Sequence, residues 1–201
     1  MAAKAKPGRR PIDRRAEILD AAESLYATLG HDKTTVTDIG RELGMSAANL
    51  YRHFPNRQAI DDAIARRKLT VIEDAAWAAA RTASADPVAA FRRLVIDVTH
   101  ATVALIFEQD KLYELCRVAT EEKWPVVERF VHDLQGVVRH VLIEGRNAGV
   151  FRVDDPDRVA GAAFWALARV WHPQMLALYR DDMLEETAHG LADMVLNSLR
   201  P

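Results

Sequence analysis

The sequence predicts an all-α protein, because apolar residues recur at helical spacing in almost every segment. No stretch combines alternating apolar and polar residues with the turn signals that are typical of strands. Glycines, and prolines that follow a capping residue, divide the helical segments where helices commonly end and begin. With 201 residues, 49 % of them hydrophobic, the chain can form one medium domain, or a small one and a larger one, around a sizeable core.

The first two helices are predicted from their apolar faces and end signals. Helix 1 covers about residues 13–29, and Gly30 supplies the left-handed residue that ends it. Helix 2 begins near Thr35, where Asp38 three residues later completes the pattern of a capping box. Gly44 ends this second helix.

A third, shorter helix is predicted over residues 47–54, with Ser46 as its cap. At 100° per residue, Leu50 and Phe54 fall with Ala47 on one apolar arc. The other side carries small and polar residues, with Tyr51 on the flank: Ala48, Asn49, Arg52 and His53.

Six more helices are predicted in the rest of the chain. Pro55 interrupts helix 3, and Asn56 caps a long helix that reaches about residue 83. Five others begin near residues 87, 111, 125, 156 and 181. The helix over 156–179 is apolar nearly all round and needs neighbours on most sides, which indicates a partner subunit.

Charge is distributed unevenly along the chain. Residues 1–58 hold ten Lys or Arg against seven Asp or Glu, whereas the remainder holds 17 against 22. The basic excess is concentrated in residues 1–15. A basic end on an acidic body favours contact with a polyanion, and a solvated tail is the alternative.

The composition also constrains the cellular setting. Cys116 is the single cysteine, so no intramolecular disulfide can form, which fits a reducing cytoplasm. The apolar stretches are interrupted by charges well short of ~18 residues, so we expect no membrane span. We see no signal peptide and expect a cytoplasmic protein.

Helices 2 and 3, joined by a short turn, have the arrangement of a helix-turn-helix. In that motif the second helix enters the major groove, and small residues at its N-terminal end allow close approach. Asn49 can read adenine and Arg52 can read guanine through bidentate hydrogen bonds. Because similar helix pairs occur in other α-proteins, geometry alone leaves the motif open.

The segment TTVTDIGRELGMSAANLYRHFPNRQAI, Thr34 to Ile60, resembles the DNA-binding signature of the TetR family of transcriptional regulators. The segment AEILDAAESLYATLG fits the family's first helix, and NAGVFRVDDPDRVAGA is similar to the junction before its last two helices. The resemblance is specific over residues 13–60 and looser beyond. It implies a repressor that a small-molecule effector releases from a palindromic operator.

The resemblance also implies which residues contact DNA. Five positions match those near bases: Thr37, Ala47, Ala48, Asn49 and Arg52. Four positions match phosphate contacts: Thr35, Tyr51, His53 and Arg57. The paired alanines can pack on thymine methyl groups, while Arg57 stands where the family most often has Lys and can still hold a phosphate.

The family pattern implies a division of the chain and a homodimer. We expect a basic flexible arm over residues 1–12, a helix-turn-helix domain over 13–58 and a helical ligand-binding and dimerisation domain over 59–201. The last two predicted helices, about 156–179 and 181–199, would form the dimer interface as a four-helix bundle. The arm would track the DNA backbone or enter the minor groove, or remain a nonspecific tail.

The effector pocket is predicted from inward-facing aromatic and polar residues of the body. The candidates are Trp77, Phe91, His100, Phe107, Trp124, Phe130, Phe164, Trp165 and Trp171. Other polar residues in apolar stretches are further markers: Thr99, Thr102, His140, His172 and Gln174. Such a pocket would suit a flat or lipophilic molecule.

Two other functions are weighed against this one. A helical small-molecule-binding protein or an enzyme without DNA activity is the alternative, but no Ser/His/Asp, Cys/His or Gly-rich phosphate motif appears. No histidine has the spacing of tight metal ligands, so we expect neither a metal nor a cofactor. The effector, the operator and the regulated genes cannot be read from the residues.

Overall fold

The described residues of a computed structural model, 13–107, 110–179 and 183–200, form helices joined by turns and contain no strand. This confirms the all-α prediction, whereas the predicted arm over 1–12 lies outside these ranges. The helices are α1 (Arg14–Leu29), α2 (Val36–Glu42), α3 (Ala47–Leu50), α4 (Arg57–Ala80), α5 (Pro87–Phe107), α6 (Asp110–Glu121), α7 (Pro125–Asn147), α8 (Pro156–Ala166), α9 (Ala168–Trp171), α10 (Pro173–Leu178) and α11 (Leu184–Ser198).

The predicted caps fix where the early helices begin. Thr35 and Asp38 form a complete capping box at α2. Ser46 and Asn56 each accept a backbone N–H hydrogen bond at the start of α3 and α4. Short polar side chains therefore set the ends of the helices that surround the turn.

The predicted third helix is longer than the observed one. α3 ends at Leu50, and a tight turn continues it, in which the His53 N–H bonds to the Leu50 carbonyl oxygen at 2.9 Å. Pro55 explains the early end, because a proline lacks an N–H and disfavours helical conformation in the residue before it. We call α3 with its following turn, residues 47–54, the recognition element.

The single helix predicted over 156–179 is wrong, because α8, α9 and α10 occupy this segment. His172 has an extended backbone, with ψ 124°, between α9 and α10. Pro173 is the physical reason, since it restricts the preceding residue and cannot donate to a continuing helix. A one-residue break at Leu167 separates α8 from α9.

One continuous apolar core connects both ends of the chain. Buried side chains form a single cluster that extends from Ile18 in α1 to Leu199 after α11. α4 runs through its centre and packs against α1, α5, α6 and α7. α4 begins three residues after the recognition element, so one helix connects the N-terminal helices α1–α3 to the rest of the chain.

Candidate nucleic-acid interface and internal cavity

The predicted contact residues lie mostly on the surface of the headpiece, which we define as α1–α3 and their turns. Six of them are exposed: Thr35, Thr37, Ala48, Asn49, Tyr51 and Arg52. The other three are partly buried: Ala47, His53 and Arg57. A polar cleft beside the recognition element brings Asn49, Arg52 and His53 together with Arg14 from the start of α1. The side chains of this cleft can donate hydrogen bonds to phosphate oxygens and to base edges.

The inward side of the recognition element fixes its position. Leu50 and Phe54 are fully buried. The Arg15 guanidinium stacks over the Phe54 ring, 4.0 Å from its centroid, and donates a hydrogen bond to the His53 carbonyl oxygen. In the sequence Arg15 is only part of the basic N-terminal stretch, whereas the structure gives it this anchoring contact.

Two glycines allow the turn between α2 and α3. A Cβ atom at Gly40 would lie 2.6 Å from the Met45 carbonyl oxygen, which is closer than atoms can pack. Gly44 has φ +63°, in the left-handed region that glycine adopts without strain. The close crossing of the two helices therefore requires both residues, of which only Gly44 was recognised in the sequence.

Thr35 lies at the surface but has an internal partner. Its hydroxyl donates to an Asp38 carboxylate oxygen at 2.6 Å and accepts from the Asp38 N–H. These hydrogen bonds hold the pKa of the Asp38 carboxyl below its usual range. A phosphate at Thr35 would meet this carboxylate, so the residue acts first as a cap.

Arg57, predicted to hold a phosphate, faces the protein interior. Its Nη2 donates to the His31 carbonyl oxygen at 2.5 Å, and its Nε lies 3.5 Å from the Asp61 carboxylate. The reason is its place in the first turn of α4, where the side chain at position i reaches the carboxylate at i+4.

Asp61 is the centre of a buried polar cluster that the sequence did not reveal. The Tyr26 hydroxyl donates to it at 2.5 Å, and His31 Nε2 lies 3.2 Å from its other oxygen. The Asp61 carboxylate raises the pKa of His31, and burial raises the pKa of Tyr26. We call Tyr26, His31, Arg57 and Asp61 the headpiece cluster, which joins α1 and its following turn to the start of α4.

An internal cavity of about 570 Å³ lies in the body between α4–α7 and the α8–α10 segment. Its walls are mostly apolar. Residues of α4, α5 and α6 form one part: Ala65, Leu69, Ile72, Thr102, Leu105, Cys116, Ala119 and Thr120. The other part comes from α7 to α10 and the turn before α7: Lys123, Val127, Glu128, Phe130, Val131, Leu134, Phe164, Trp165, Ala168, Trp171, His172 and Pro173.

Four predicted pocket residues line this cavity: Phe130, Phe164, Trp165 and Trp171. The other five do not: Trp77, Phe91, His100, Phe107 and Trp124. Phe91 is packed fully in the core, and His100 is exposed on α5. Trp77 is half-exposed against the His140 ring, and the Trp124 indole donates to Glu122 at the start of α7. Helical spacing predicts which face of a helix is buried but not which helix packs against that face. The sequence therefore could not distinguish these aromatic residues from those that line the cavity.

The charged lining residues lie at the cavity mouth. Lys123 and Glu128 are exposed, as is Trp165, whereas the remaining lining residues are buried or partly buried. Among the described residues, the deeper wall therefore contains no charged side chain. Such a cavity accepts an uncharged molecule far better than an ion.

Comparison with known families agrees with this geometry. Residues 18–64 match the model of the bacterial regulatory proteins of the tetR family, and residues 87–192 match that of the tetracyclin repressor-like C-terminal domain. The chain belongs to the TetR family. It is therefore a DNA-binding transcriptional regulator, as the resemblance of the segment Thr34 to Ile60 implies.

Individual proteins are similar to this one over most of the chain. The transcriptional repressor KstR2 of Rhodococcus jostii is 29 % identical over 146 residues, covering 70 % of this chain and 69 % of KstR2. The TetR-family regulator PfmR of Thermus thermophilus has a TM-score of 0.59 at 25 % identity, covering 92 % and 98 %. A structure of unknown function from Rhodococcus sp. RHA1 has a TM-score of 0.72 at 21 % identity, covering 96 % and 100 %.

Two features are absent from the described part of this TetR-family chain. No helix there is long and apolar enough to cross a membrane. No group of three or more metal-ligating side chains there is arranged around a common point.

Proposed function

We propose that this TetR-family chain is a cytoplasmic repressor that binds a palindromic operator as a homodimer. A small molecule that enters the cavity releases it from DNA. Residues 13–58 would bind DNA, 59–201 would bind the effector and dimerise, and 1–12 would add a basic arm. The observation that carries the proposal is that α4 holds the headpiece cluster and lines the cavity.

The recognition element would enter the major groove with its exposed side. Asn49 and Arg52 would read bases, while Ala47 and Ala48 would allow close approach. Tyr51 and His53 would hold phosphates, with Thr35 and Thr37 beside them. Arg57 would support the recognition element from inside, through His31 and Asp61, rather than contact a phosphate.

A second copy of the chain would cover exposed apolar residues of α8 and α11. Trp165 on α8 is 60 % exposed and Met194 on α11 is 53 % exposed, which is unusual for side chains this large. Gly161 and Gly190 lie within these helices, where glycine is unfavourable, and nothing lies within 4 Å of the position of a Cβ atom at either. Two helices from each copy would pair about a two-fold axis.

Coupling between ligand and DNA would run along α4. Asp61 of the headpiece cluster and Ala65 of the cavity wall are one turn apart on this helix, a rise of about 6 Å. α6, which also lines the cavity, packs against α1. Arg117 lowers the pKa of Glu114 in α6, and the nearby His31 contributes to the same shift. A ligand that displaces α4 or α6 would therefore move the headpiece, and DNA would weaken ligand binding by the same factor.

Substitutions in the recognition element test the DNA contacts. The probe is the duplex that the wild-type protein enriches from a randomised pool. Arg52→Ala should weaken binding to this duplex and relax selectivity at one base pair, by about 1–3 kcal/mol. Tyr51→Ala should weaken binding to all duplexes alike, and Arg93→Ala, an exposed arginine of α5, is the control. If Arg52→Ala left the base selectivity unchanged, Arg52 would not be one of the residues that contact bases.

A charged side chain at Gly190 tests the dimer. Gly190→Arg should shift the protein from dimer to monomer in sedimentation, because the guanidinium would be buried against the second copy. Gly136→Arg is a matched control, since Gly136 is an exposed helical glycine of α7 with equally open surroundings. A dimer that survives Gly190→Arg would exclude this face as the interface.

A further inference from the structure

Lys123 and Trp165 lie exposed at the mouth of the cavity. Deeper than these two, the described wall keeps its side-chain hydrogen-bond donors occupied, with one exception. The Thr102 hydroxyl donates to the Val98 carbonyl oxygen, and the Thr120 hydroxyl donates to the Cys116 carbonyl oxygen, both at 2.8 Å. The Trp171 indole N–H donates to a backbone carbonyl oxygen of α5. Cys116 is a weak donor, and burial raises its pKa to about 11, so it stays a thiol.

The exception is His172, at the break between α9 and α10. Its Nδ1 accepts a hydrogen bond from the Gln174 N–H at 3.3 Å. Burial lowers the pKa of His172, so the ring is neutral near pH 7 and its proton is on Nε2. No group of the described residues accepts a hydrogen bond from this Nε2–H. The neutral ring thus has a fixed tautomer and one unused donor.

We infer that the cavity binds an uncharged, mainly hydrophobic ring compound whose acceptor oxygen, such as a ketone, takes a hydrogen bond from His172 Nε2. This inference rests on the proposed function only in calling the compound an effector. The volume of about 570 Å³ lies in the range of small-molecule sites. Four aromatic side chains line the wall and suit a flat ring: Phe130, Phe164, Trp165 and Trp171.

The same wall argues against an anionic ligand. A carboxylate inside would lose its hydration without meeting a cation, because the lining lysine, Lys123, lies at the mouth. A neutral oxygen needs only one donor to offset its loss of water. The hydrogen-bonding inventory therefore selects a ketone over both a hydrocarbon and an acid of the same shape.

Three probes of one shape test this selection without DNA. Calorimetric titration with fluorenone, fluorene and a fluorene carboxylate compares a ketone, a hydrocarbon and an anion. Fluorenone should bind about 2- to 10-fold more tightly than fluorene, the effect of one net hydrogen bond. The carboxylate should bind at least about tenfold more weakly than fluorene. Equal affinity for ketone and hydrocarbon, tightest binding of the carboxylate, or no binding of fluorene would each overturn the inference.

Variants of His172 separate hydrogen bonding from folding. His172→Asp retains a capping acceptor for α10 but, when ionised, carries no hydrogen-bond donor, so the preference for fluorenone over fluorene should disappear. His172→Phe repeats the test with a ring that has neither a donor nor an acceptor, and circular dichroism checks folding. A ketone preference that persists in both variants would overturn the role of His172. Because DNA is absent, these outcomes are independent of the operator experiments that test the proposed function.

Discussion

The headpiece is fastened to α4 by buried polar groups, whereas the body packs around α4 through apolar side chains that leave a cavity. At the headpiece, the Asp61 carboxylate lies within 3.5 Å of three partners: Tyr26, His31 and Arg57. In the body, the same helix presents apolar residues to the cavity, among them Leu69 and Ile72. Directional contacts hold one end of α4, and non-directional contacts hold its middle.

This difference assigns each region a mechanical role. Hydrogen bonds and ion pairs tolerate little change in geometry, so the headpiece should move with the first turns of α4 as one unit. Apolar walls around a cavity can repack at small cost when a ligand enters. The following substitutions test the comparison by altering matched residues in the two regions.

Removing an aromatic ring should cost far more in the headpiece than at the cavity. Phe54→Ala should reduce the free energy of unfolding by about 3–5 kcal/mol, because Phe54, the last residue of the recognition element, is fully buried. Phe130→Ala should cost about 1–2 kcal/mol, since one side of its ring already faces the cavity. Urea denaturation of both variants measures the difference, and equal losses would remove the contrast.

Neutralising Asp61 should be the next largest effect. Asp61→Asn should cost about 2–3 kcal/mol, less than a fully buried pair because Arg57 is one third exposed. Asp62→Asn is the control, because Asp62 accepts an exposed hydrogen bond from the Gln58 side-chain amide. Its cost should stay below about 0.5 kcal/mol. Similar losses of stability in the two variants would show that the headpiece cluster does not stabilise the fold more than a surface hydrogen bond does.

The headpiece cluster should also make stability depend on pH. Asp61 raises the pKa of His31 above its ordinary 6.5, so the folded state favours the protonated ring. This stabilisation is complete below pH 6.5 and is lost as the pH rises through the higher pKa of the folded state. Denaturation midpoints of wild type should fall across that window, whereas those of Asp61→Asn should fall less. Equal slopes would contradict the ion pair.

A methyl group added at two helical glycines should have opposite effects. Gly40→Ala should destabilise by about 1–2 kcal/mol, because its Cβ would collide with the Met45 carbonyl oxygen. Gly136→Ala on α7 should stabilise by about 0.5–1 kcal/mol, since its surroundings are open and alanine favours helix. Melting temperatures decide the signs, and a stabilising Gly40→Ala would mean that the turn is less tight than described.

An exposed ion pair in the body should contribute least. Arg92 on α5 pairs with Asp193 on α11, and both side chains are more than 40 % exposed. Arg92→Ala should therefore change stability by only about 0.2–1 kcal/mol, and added salt should reduce the effect further. A loss as large as that of Asp61→Asn would contradict the distinction between buried and exposed charge pairs.

Local signals predicted most of the headpiece from the sequence. Ser46, Thr35 and Asn56 were identified as caps because capping depends on residues within one helical turn. Asp61, His31 and Tyr26 were missed because they are up to 35 residues apart and meet only when α1 packs on α4. The inward turn of Arg57 follows from the same packing.

The body was less predictable because its site depends on which helices become neighbours. Aromatic residues at helical spacing include both cavity wall, such as Trp171, and solid core, such as Phe91. Pro173 is a residue that favours a break in the helix after His172, but the apolar pattern over 156–179 favours one continuous helix. The use of His172 as a donor could not be predicted, since it depends on the hydrogen bond that fixes its tautomer.

Selection of bound duplexes from a randomised DNA pool tests the central claim most directly. Two recognition elements related by a two-fold axis should enrich an inverted repeat, with half-site centres about 10–10.5 base pairs apart or a multiple of that spacing. Enrichment of a single unrepeated motif, or of no sequence at all, would contradict a dimeric regulator that reads its operator through residues 47–54.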